Sequence, residues 1–495
     1  MYSCSTAEAG ASTASDRALI DPFVDRVLAL APAPALGDAG RASARAVSDP
    51  AFRMPGPRTE AYRFTDISPL LSRPLVPPPE ASPARPVSLV SAAAARQAPA
   101  GARPADDPSV GRVAVLVDGR LDAELSDLSN VPAGVFVGPL SSAPAEVVAA
   151  VGAGRVAPDA PDAAGTPGGA WRDLGADAPG YREGAVVRTP SADGLDADRG
   201  AAADLPFAAL SAAAARDVLA VRVPDGVDAG HLHVLCLTSG AEGGGRGLAD
   251  PAGGGGEGGA ARGPPLLASF PRVAARLGPG ASLTLVEEHA PAHGPDGRGR
   301  AALDAAAYWT SPATEARLDA GASLVHCVAQ ADAVGSAHTR ATVVAQAAGS
   351  SYRLTEALTG ASLSRHDLRL FQTGPGTDTE LRHFVLASAG QTGDLSTGVD
   401  LAHPDSTVRQ IHKAIAADPD ARSVFDGAVR VRRPAQRTDA GQLTRSLLLA
   451  PRARVHARPC LRIEADDVAC THGCSVSDLD AEQLFYLEKI GRAHV

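Results

Sequence analysis

Two cysteines and a histidine stand at alternate positions near the C-terminus of the sequence. Cys470, His472 and Cys474 lie within the segment 468–476. If this segment is extended, they share one face, because side chains alternate along a strand with a period of two. Thiolates and imidazole form a soft ligand set that suits an iron–sulfur cluster or zinc. The spacing is not a standard zinc-finger pattern, so the alternative is two small buried cysteines and a histidine in a turn.

Other polar residues give weaker signals. Asp466 and Asp467 precede the cysteine–histidine segment and could supply hard ligands or accept hydrogen bonds from the ligands. His231 and His233 alternate on an apolar run close to Cys236. We interpret this pair of histidines as satisfied core residues.

Two further groups combine carboxylates with histidines. The first looks like a metal site, but Pro291 prevents the helix that would bring its histidines together. It comprises Glu287, Glu288, His289 and His293. The second could serve a carbohydrate lyase or hydrolase, but aspartate caps turns readily, and turn capping is our interpretation. It comprises His366, Asp367, His383, Asp394, Asp400, His403 and Asp405.

The remaining sequence argues against several classes of protein. The lysines are Lys413 and Lys489, and neither lies in a GxxxxGK[ST] setting, which excludes a P-loop ATPase. A GxGxxG match at 254–259 lies in a glycine run with no strand before it, so we do not interpret it as a nucleotide site. A net charge of −10 argues against nucleic-acid binding, which needs a basic face. No stretch approaches the roughly 18 apolar residues of a membrane helix.

Cysteine content and the N-terminal composition bear on the compartment. Six cysteines in 495 residues are too few for a disulfide-linked secreted protein and indicate a reducing compartment. The N-terminus is rich in Ser, Thr and Ala, as plastid transit peptides are, although Glu8 and Asp16 interrupt it. It is either the remnant of a presequence or a ragged terminus.

A repeat indicates the fold. The tetrapeptide Gly-Ala-Ser-Leu occurs at 280–283, 321–324 and 360–363, so its copies are about 40 residues apart. Short β-prone runs alternate with glycine turns throughout this part of the chain. Such repeats predict a parallel β-solenoid, in which the stacking of coils supplies the core. A β-sandwich with chance similarity is the alternative.

The sequence divides into three predicted regions. Residues 1–205 form a helical and mixed N-terminal region, with a helix over 16–30 and a Pro/Ala-rich linker over 72–108. Within it, an apolar run at 113–116 followed by Asp118-Gly119 predicts a hairpin. The β-helix core occupies 206–468, with a glycine-rich insertion at 240–265, and a C-terminal signature occupies 469–495.

The segment 422–487 resembles the C-terminal signature of the SufB/SufD family of iron–sulfur cluster assembly proteins. The matching residues are Phe425-Asp426-Gly427, Ala435-Gln436, Thr438-Asp439-Ala440, Leu447-Leu448-Leu449, Pro459, Ala465-Asp466-Asp467-Val468, Cys470-Thr471-His472-Gly473 and Phe485-Tyr486-Leu487. The run 59–65 (TEAYRFT) resembles an N-terminal motif of the SufD branch. We therefore place the sequence in the SufD branch rather than the SufB branch.

The resemblance implies a mainly β protein, a right-handed parallel β-helix between helical end regions. It implies a scaffold without enzymatic activity that pairs with a SufB-type subunit and docks a SufC-type ATPase, and that binds no nucleotide itself. A transient iron–sulfur cluster would form at the interface with SufB, with His472 as a ligand and Cys470 as an interface residue that metal can reach. Cys474 stands where the family usually has alanine, so it is either an extra ligand or a harmless replacement. The expected compartment is the plastid stroma for an algal chain and the cytoplasm for a bacterial one.

The sequence departs from the family at its C-terminus. The family continues with an Arg-Gly-Ile element and a further helical region, so we expect the C-terminal helical region here to be truncated. We interpret 490–495 as non-biological, because an in-frame read of a common sequencing adapter spells the same residues. A missing helical region puts docking of the ATPase in doubt. A β-helix carbohydrate enzyme and a purely structural solenoid are the alternative functions.

Overall fold

The computed structural model describes residues 20–30, 37–49, 52–56, 58–78, 112–145, 147–148, 205–240, 265–292, 307–388 and 390–491. The α-helices are α1 (Pro22–Leu28), α2 (Gly37–Val47), α3 (Ser68–Leu71), α4 (Pro206–Ala214) and α5 (Ala481–Gly491). Single 3-10 turns occur at Glu60–Tyr62 and Leu140–Ser142. Among these described residues, no helix is long and apolar enough to span a membrane.

The strands form two long sheets. The first sheet contains β1 (Leu75–Val76), β4 (Phe136–Pro139), β5 (Leu219–Val223), β7 (Leu266–Ser269), β8 (Arg272–Leu277), β10 (Tyr308–Thr310), β11 (Ala313–Leu318), β13 (Ala337–Gln346), β15 (Leu363–Gln372), β17 (Thr392–Leu401), β19 (Arg422–Val431) and β21 (Arg454–Ile463). The second sheet contains β2 (Val113–Val117), β3 (Arg120–Leu121), β6 (Asp228–Thr238), β9 (Ser282–Pro291), β12 (Ser323–Gln330), β14 (Ser351–Leu358), β16 (Asp378–Ala387), β18 (Thr407–Ala416), β20 (Thr438–Leu448) and β22 (Val468–Asp478).

The two sheets are the walls of a parallel β-solenoid. From β11 onward, consecutive strands alternate between the sheets, and each strand from β13 to β20 pairs in parallel with the strands two before and two after it in the chain. Each coil therefore adds one strand to each wall, which confirms the solenoid and not the sandwich. The described solenoid strands include β2 and continue to Asp478, so they extend on both sides of the interval 206–468.

The Gly-Ala-Ser-Leu repeat is only partly structural. Ser323 pairs with Ser282 and Leu324 with Leu283, so the first two copies are stacked coils in register. The third copy lies in the other wall, where Leu363 pairs with Ala337. The third copy therefore does not occupy the same position in its coil as the first two copies do.

Several predictions for the N-terminal region can be compared with the structure. The predicted hairpin is confirmed, because β2 and β3 pair antiparallel across Asp118-Gly119. The predicted linker 72–108 contains the short strand β1, which pairs with β7. The glycine-rich insertion lies outside the described residues apart from its two ends, as do Cys4 and Trp171.

The helix α1 confirms the prediction over 16–30 for its described part. Asp21 caps it, since its Oδ1 accepts a hydrogen bond of 2.9 Å from the Phe23 backbone N–H, and Pro22 occupies the first turn. The Phe23 ring lies 5.3 Å from the ring of Trp309, which is completely buried. This contact ties the helix to β10, and aromatic burial of this kind is among the larger contributions to a core.

The segment 59–65, which we call the N-terminal strap, lies across the outside of the first sheet. Arg365 lies 3.9 Å from the centre of the Tyr62 ring and donates a hydrogen bond of 3.0 Å to the Ala61 carbonyl. Thr65 Oγ1 donates a hydrogen bond of 2.6 Å to Asp394 on β17. The motif that resembles the SufD branch is therefore a tie between the N-terminal region and the solenoid.

The same strap reaches the last strand of the first sheet. The Phe64 ring stacks on His456 of β21 with 4.0 Å between ring centres. Arg422 of β19 donates a hydrogen bond of 3.2 Å to the Phe64 carbonyl, and Glu60 pairs with Arg458 of β21 at 2.8 Å. The strap thus contacts four successive strands, from β15 to β21.

Ionisable side chains fill part of the solenoid interior. Glu287 lies 2.9 Å from His326, 3.0 Å from Arg340 and 3.5 Å from His289, and all four are buried. Burial, the largest effect, lowers the pKa of His289 to about 4, so this imidazole is neutral at physiological pH. Glu288 points away from Glu287, since strand side chains alternate. Glu287 and His289 of the metal-like group therefore belong to an internal polar network, and His293 lies outside the described residues.

A second network lies farther along the interior. Glu356 Oε1 lies 2.6 Å from His383 Nδ1, and Glu356 Oε2 lies 2.8 Å from His366 Nδ1. Burial alone would raise the pKa of Glu356, but the two histidines outweigh it and hold this pKa well below its ordinary value. The turn-capping interpretation is wrong for the members of this group that are buried within strands. They are His366, Asp367, His383, Asp394 and Asp400.

Replacing Arg365 with alanine is expected to destabilise the protein strongly. Arg365 is buried, contacts Asp367 at 2.8 Å and also pairs with buried Asp394. Its loss leaves Asp394 without its cation and leaves Asp367 with the more distant Arg369 at 3.5 Å. Removing one partner of a buried ion pair costs about 3–5 kcal/mol. Urea unfolding measures the change. In the matched control Arg452→Ala, which breaks an exposed pair with Asp420, the expected loss is about 0–1 kcal/mol. Equal losses in the two variants would contradict this assignment.

Replacing His412 with phenylalanine is expected to flatten the loss of stability in acid. The His412 ring stacks on Phe425 at 4.4 Å, neither ring nitrogen has a hydrogen-bond partner, and burial lowers its pKa to about 3. Because the unfolded chain binds this proton at the ordinary histidine pKa of about 6.5 and the folded chain does not, unfolding becomes easier as the pH falls from there.

The wild type should therefore lose about 1.4 kcal/mol more per pH unit than His412→Phe below about pH 6.5. Urea unfolding at a series of pH values measures the difference, and His231→Phe, an exposed position, is the control. Parallel curves for wild type and His412→Phe would show that His412 is protonated in the folded state.

Candidate functional site

The strand β22 forms one edge of the second sheet. It pairs with β20 in parallel register, which places Cys470 beside Ala440, His472 beside Gln442 and Cys474 beside Thr444. In the part of the chain that the structure describes, no strand pairs with its other side. The prediction that 468–476 is extended is confirmed, and its outer row of backbone N–H and C=O groups is available to another chain.

The three candidate ligands share the inner face of the solenoid wall. The residues paired with them on β20 are buried, and neighbours in register point the same way. Cys470 is half-buried and packs against the core, whereas His472 and Cys474 are exposed because no further described coil covers them. The interpretation of two buried cysteines and a histidine in a turn is therefore wrong. The ligand role of the three residues stays a prediction.

The protonation of Cys470 limits what it can bind. Burial, the largest effect, raises the pKa of the Cys470 thiol, and the nearby Asp439 carboxylate acts in the same direction, although the Ala440 backbone opposes them. Metals bind the thiolate. A cation that binds Cys470 must therefore displace a proton that the isolated chain retains at neutral pH.

The spacing of the three side chains prevents them from surrounding one ion. Alternate residues on a strand are about 7 Å apart, so Cys470 and Cys474 are separated by about 13 Å. Among the described residues, no group of three or more His, Cys, Asp or Glu side chains could hold a metal ion. The edge offers a row of ligands, and a complete site needs ligands from elsewhere.

The residues before the edge have a structural role. Asp466 and Asp467 are exposed in the turn that leads into β22. The Asp467 backbone N–H donates a hydrogen bond of 2.9 Å to Gln436, and its carbonyl accepts one of 2.6 Å from the Arg437 N–H. These bonds fix where β22 begins, and with it which residues face inward.

The predicted pair His231 and His233 is not in the core. His231 is exposed on β6, and His233 is partly exposed and lies 3.3 Å from buried Glu288. The interpretation of a satisfied core pair is therefore wrong. Both residues are in the same sheet as the candidate ligands but many strands away from β22.

The sequence did not predict the polar side chains that line the solenoid interior next to β22. Gln410 of β18 and Gln442 of β20 are buried on the inner face, and Gln442 Nε2 donates a hydrogen bond of 2.8 Å to Gln410 Oε1. The available signal was polar residues at every second position of β20, which include Thr438, Gln442, Thr444 and Ser446. Without the register, that alternation does not show which face is inside.

The helix α5 follows β22 and presents large apolar side chains to solvent. Phe485 is 61% exposed and Tyr486 is 65% exposed. Leu479, between the strand and the helix, is 50% exposed. Exposed apolar side chains concentrated in one segment are typical of a surface that another protein covers.

Comparison with known proteins finds relatives of the C-terminal half of the chain. Residues 260–491 match the family described as SUF system FeS cluster assembly, SufBD core domain. The chain is 45% identical over 226 residues to the chloroplastic protein ABCI7 of Arabidopsis thaliana, which covers 46% of each chain. It is 38% identical over 184 residues to a SufBD family protein of Synechocystis, covering 37% of this chain and 40% of the relative.

The Escherichia coli iron–sulfur cluster assembly protein SufD is 32% identical over 134 residues, which covers 27% of this chain and 31% of that protein. The chain thus spans less than half of the length of these curated relatives. The matched region contains the solenoid strands from β7 to β22 and the helix α5. Residues 260–491 are therefore similar to the SufBD core domain of the SUF iron–sulfur cluster assembly system, and SufD of Escherichia coli is among the relatives.

Proposed function

We propose that this protein is a scaffold subunit of the SUF system that pairs with a SufB-type subunit through the uncovered edge of β22. The observation that carries the proposal is the row of inward-facing ligands on that edge: Cys470, His472 and Cys474. The row is too extended to bind one metal ion by itself, so a second solenoid laid against the edge would complete the ligand set.

A nascent iron–sulfur cluster is the cargo that suits this edge. Thiolate and imidazole are known cluster ligands. His472 is the ligand that we assign first. It faces inward but is exposed, because no further described coil covers it. Unlike the cysteines, it does not have to lose a thiol proton before it binds a metal. Cys470 lies beside it on the same face, and Cys474 extends the row toward the C-terminal end of the strand. The cluster passes on to a recipient and is not a resident cofactor of this chain.

Docking of a SufC-type ATPase is proposed for the region that follows the edge. The exposed Phe485 and Tyr486 of α5 offer an apolar surface of the kind that a partner covers. The ATPase would supply the nucleotide chemistry, and this chain would act without enzymatic activity of its own. For the compartment, we propose the plastid stroma, in keeping with the chloroplastic Arabidopsis relative, or the cytoplasm if the chain is bacterial.

No specific observation supports either alternative function. A carbohydrate enzyme would use exposed aromatic rings as sugar platforms beside its carboxylates, but Trp309 is completely buried. The exposed rings of Phe485 and Tyr486 lie on α5, which contains none of the carboxylates considered for such an enzyme. The carboxylates considered for such an enzyme, Asp367 and Asp394, are paired with buried Arg365. A purely structural solenoid would tolerate the loss of His472, and that difference is measurable.

Replacing His472 with alanine is expected to lower the iron and sulfide content of the assembled complex without preventing assembly. The chain is co-expressed with SufB- and SufC-type partners, and the complex is reconstituted anaerobically. Changes behind a metal ligand already weaken binding by about 10- to 100-fold, so loss of the ligand itself should cost at least about tenfold. His231→Ala, an exposed histidine far from the edge, is the matched control and should retain full content.

The outcomes separate the parts of the proposal. If the His472→Ala complex forms and binds a full complement of cluster, the ligand assignment is wrong. If the wild-type chain forms no complex with these partners, the proposed pairing is wrong for this chain. If both variants lose cluster equally, the loss reflects general damage to the solenoid.

A further inference from the structure

A line of hydrogen bonds runs inside the second wall toward His472. It begins at Glu356 of β14, whose Oε1 lies 2.6 Å from His383 Nδ1 on β16. The other ring nitrogen of His383 lies 3.4 Å from Gln410 Nε2 on β18. Gln410 Oε1 in turn accepts a hydrogen bond of 2.8 Å from Gln442 Nε2 on β20. Each step moves one strand closer to β22.

The carboxylate at the start of the line sets its direction. An ionised carboxylate only accepts hydrogen bonds, so a neutral His383 ring must direct its N–H toward Glu356 and present a lone pair on its other nitrogen. That lone pair requires an N–H from Gln410, whose second N–H is donated to Thr397 Oγ1 at 2.8 Å. The Gln410 oxygen is then the acceptor for Gln442.

The line ends on an atom without a partner. Gln442 is 3% exposed, its Nε2 is used by Gln410, and its Oε1 has no hydrogen-bond partner. A buried acceptor without a partner is uncommon and costs about 1–3 kcal/mol. Gln442 lies beside His472 in the β20–β22 register, and both face inward. His472 thus occupies the position from which an N–H can satisfy this oxygen.

The opposite wall leaves room for the Gln442 amide. A Cβ placed on Gly427 of β19 would lie 2.4 Å from Gln442 Nε2 and 2.4 Å from the Phe425 ring. Any side chain at this position would displace the amide or the ring. Glycine at 427 thus allows the amide to take the orientation that the line requires.

We propose that Gln442 is a positioning residue that accepts a hydrogen bond from one ring nitrogen of His472, so that the other nitrogen is presented as a metal ligand. Metal-binding histidines commonly donate their second N–H to a fixed acceptor, which selects the tautomer and the ring orientation. In this protein the acceptor is the Gln442 amide, whose direction is set by Glu356, three strands away. The inference rests on the proposed role of His472 as a cluster ligand, but its test does not use cluster assembly.

The test is the tautomer of His472 in the full-length chain labelled with ¹⁵N-histidine, under conditions in which the imidazole is neutral. The difference spectrum with His472→Ala identifies its two nitrogen signals. We expect the wild type to favour one tautomer by about tenfold, as a single hydrogen bond provides. In Gln442→Leu the tautomer ratio should change to that of an unconstrained histidine side chain.

The sharper variant is Glu356→Gln. A neutral amide can donate as well as accept, so it can reverse every hydrogen bond in the line and present an N–H instead of an oxygen to His472. Loss or reversal of the tautomer preference is expected although the change lies about 19 Å from β22, four strand spacings away. A purely structural role for Gln442 does not predict this effect.

The matched control is Gln372→Leu. Gln372 is also a buried glutamine of the solenoid, and its oxygen accepts backbone N–H groups at 402 and 403, so it lies outside the line. Its loss should leave the tautomer of His472 unchanged. The proposal is overturned if the wild type has mixed tautomers, or if Gln442→Leu and Glu356→Gln retain the wild-type preference. A confirmed preference together with unchanged cluster content in His472→Ala would contradict the cluster role and leave the positioning intact.

Discussion

The constraint on which the rest of the structure depends is the in-register stacking of parallel coils. Each inward side chain lies directly beside the inward side chain of the next coil, about 4.8 Å away. An apolar position can be followed by another apolar position at no cost, as with Leu354 and Leu381. A polar one is stabilised by a polar partner on a neighbouring strand. The residues from Glu356 to Gln442 form a connected row of this kind, and this row reaches the strand next to the edge.

The sequence predicted the hairpin and the extended edge because both depend on short-range patterns, and it predicted the class of fold from the repeat and the family resemblance. Alternation placed Cys470, His472 and Cys474 on one face, and turn residues gave the hairpin. The sequence-based interpretation of polar residues was wrong where their interaction partners lie in other coils. Glu287 and His289 looked like a metal site because their partner Arg340, 51 residues from His289, cannot be recognised from spacing. For the same reason, the line that ends at Gln442 could not be foreseen.

Contacts between coils also organise the outer surface. Arg432 pairs with Asp400 at 2.6 Å, and Arg437 with Asp405 at 2.6 Å, and both pairs join residues 32 apart. The exposed pair of Arg437 and Asp405 contributes little to stability by itself. The separation of 32 residues in both pairs is about the length of one coil, so the surface contacts and the interior contacts follow the same repeat. The sequence shows this repeat poorly, because insertions between strands alter the spacing.

The N-terminal strap has a consequence for how the chain reaches its native state. Thr65 and its partner Asp394 are 329 residues apart, and Glu60 and Arg458 are 398 apart. Proteins are synthesised from the N-terminus, so the strap leaves the ribosome long before the strands that it contacts. Contacts of such high sequence separation form slowly, because the loop must close first. The strap is thus synthesised before these strands but can dock only after they have formed. A docked strap therefore indicates that the distant coils are already folded.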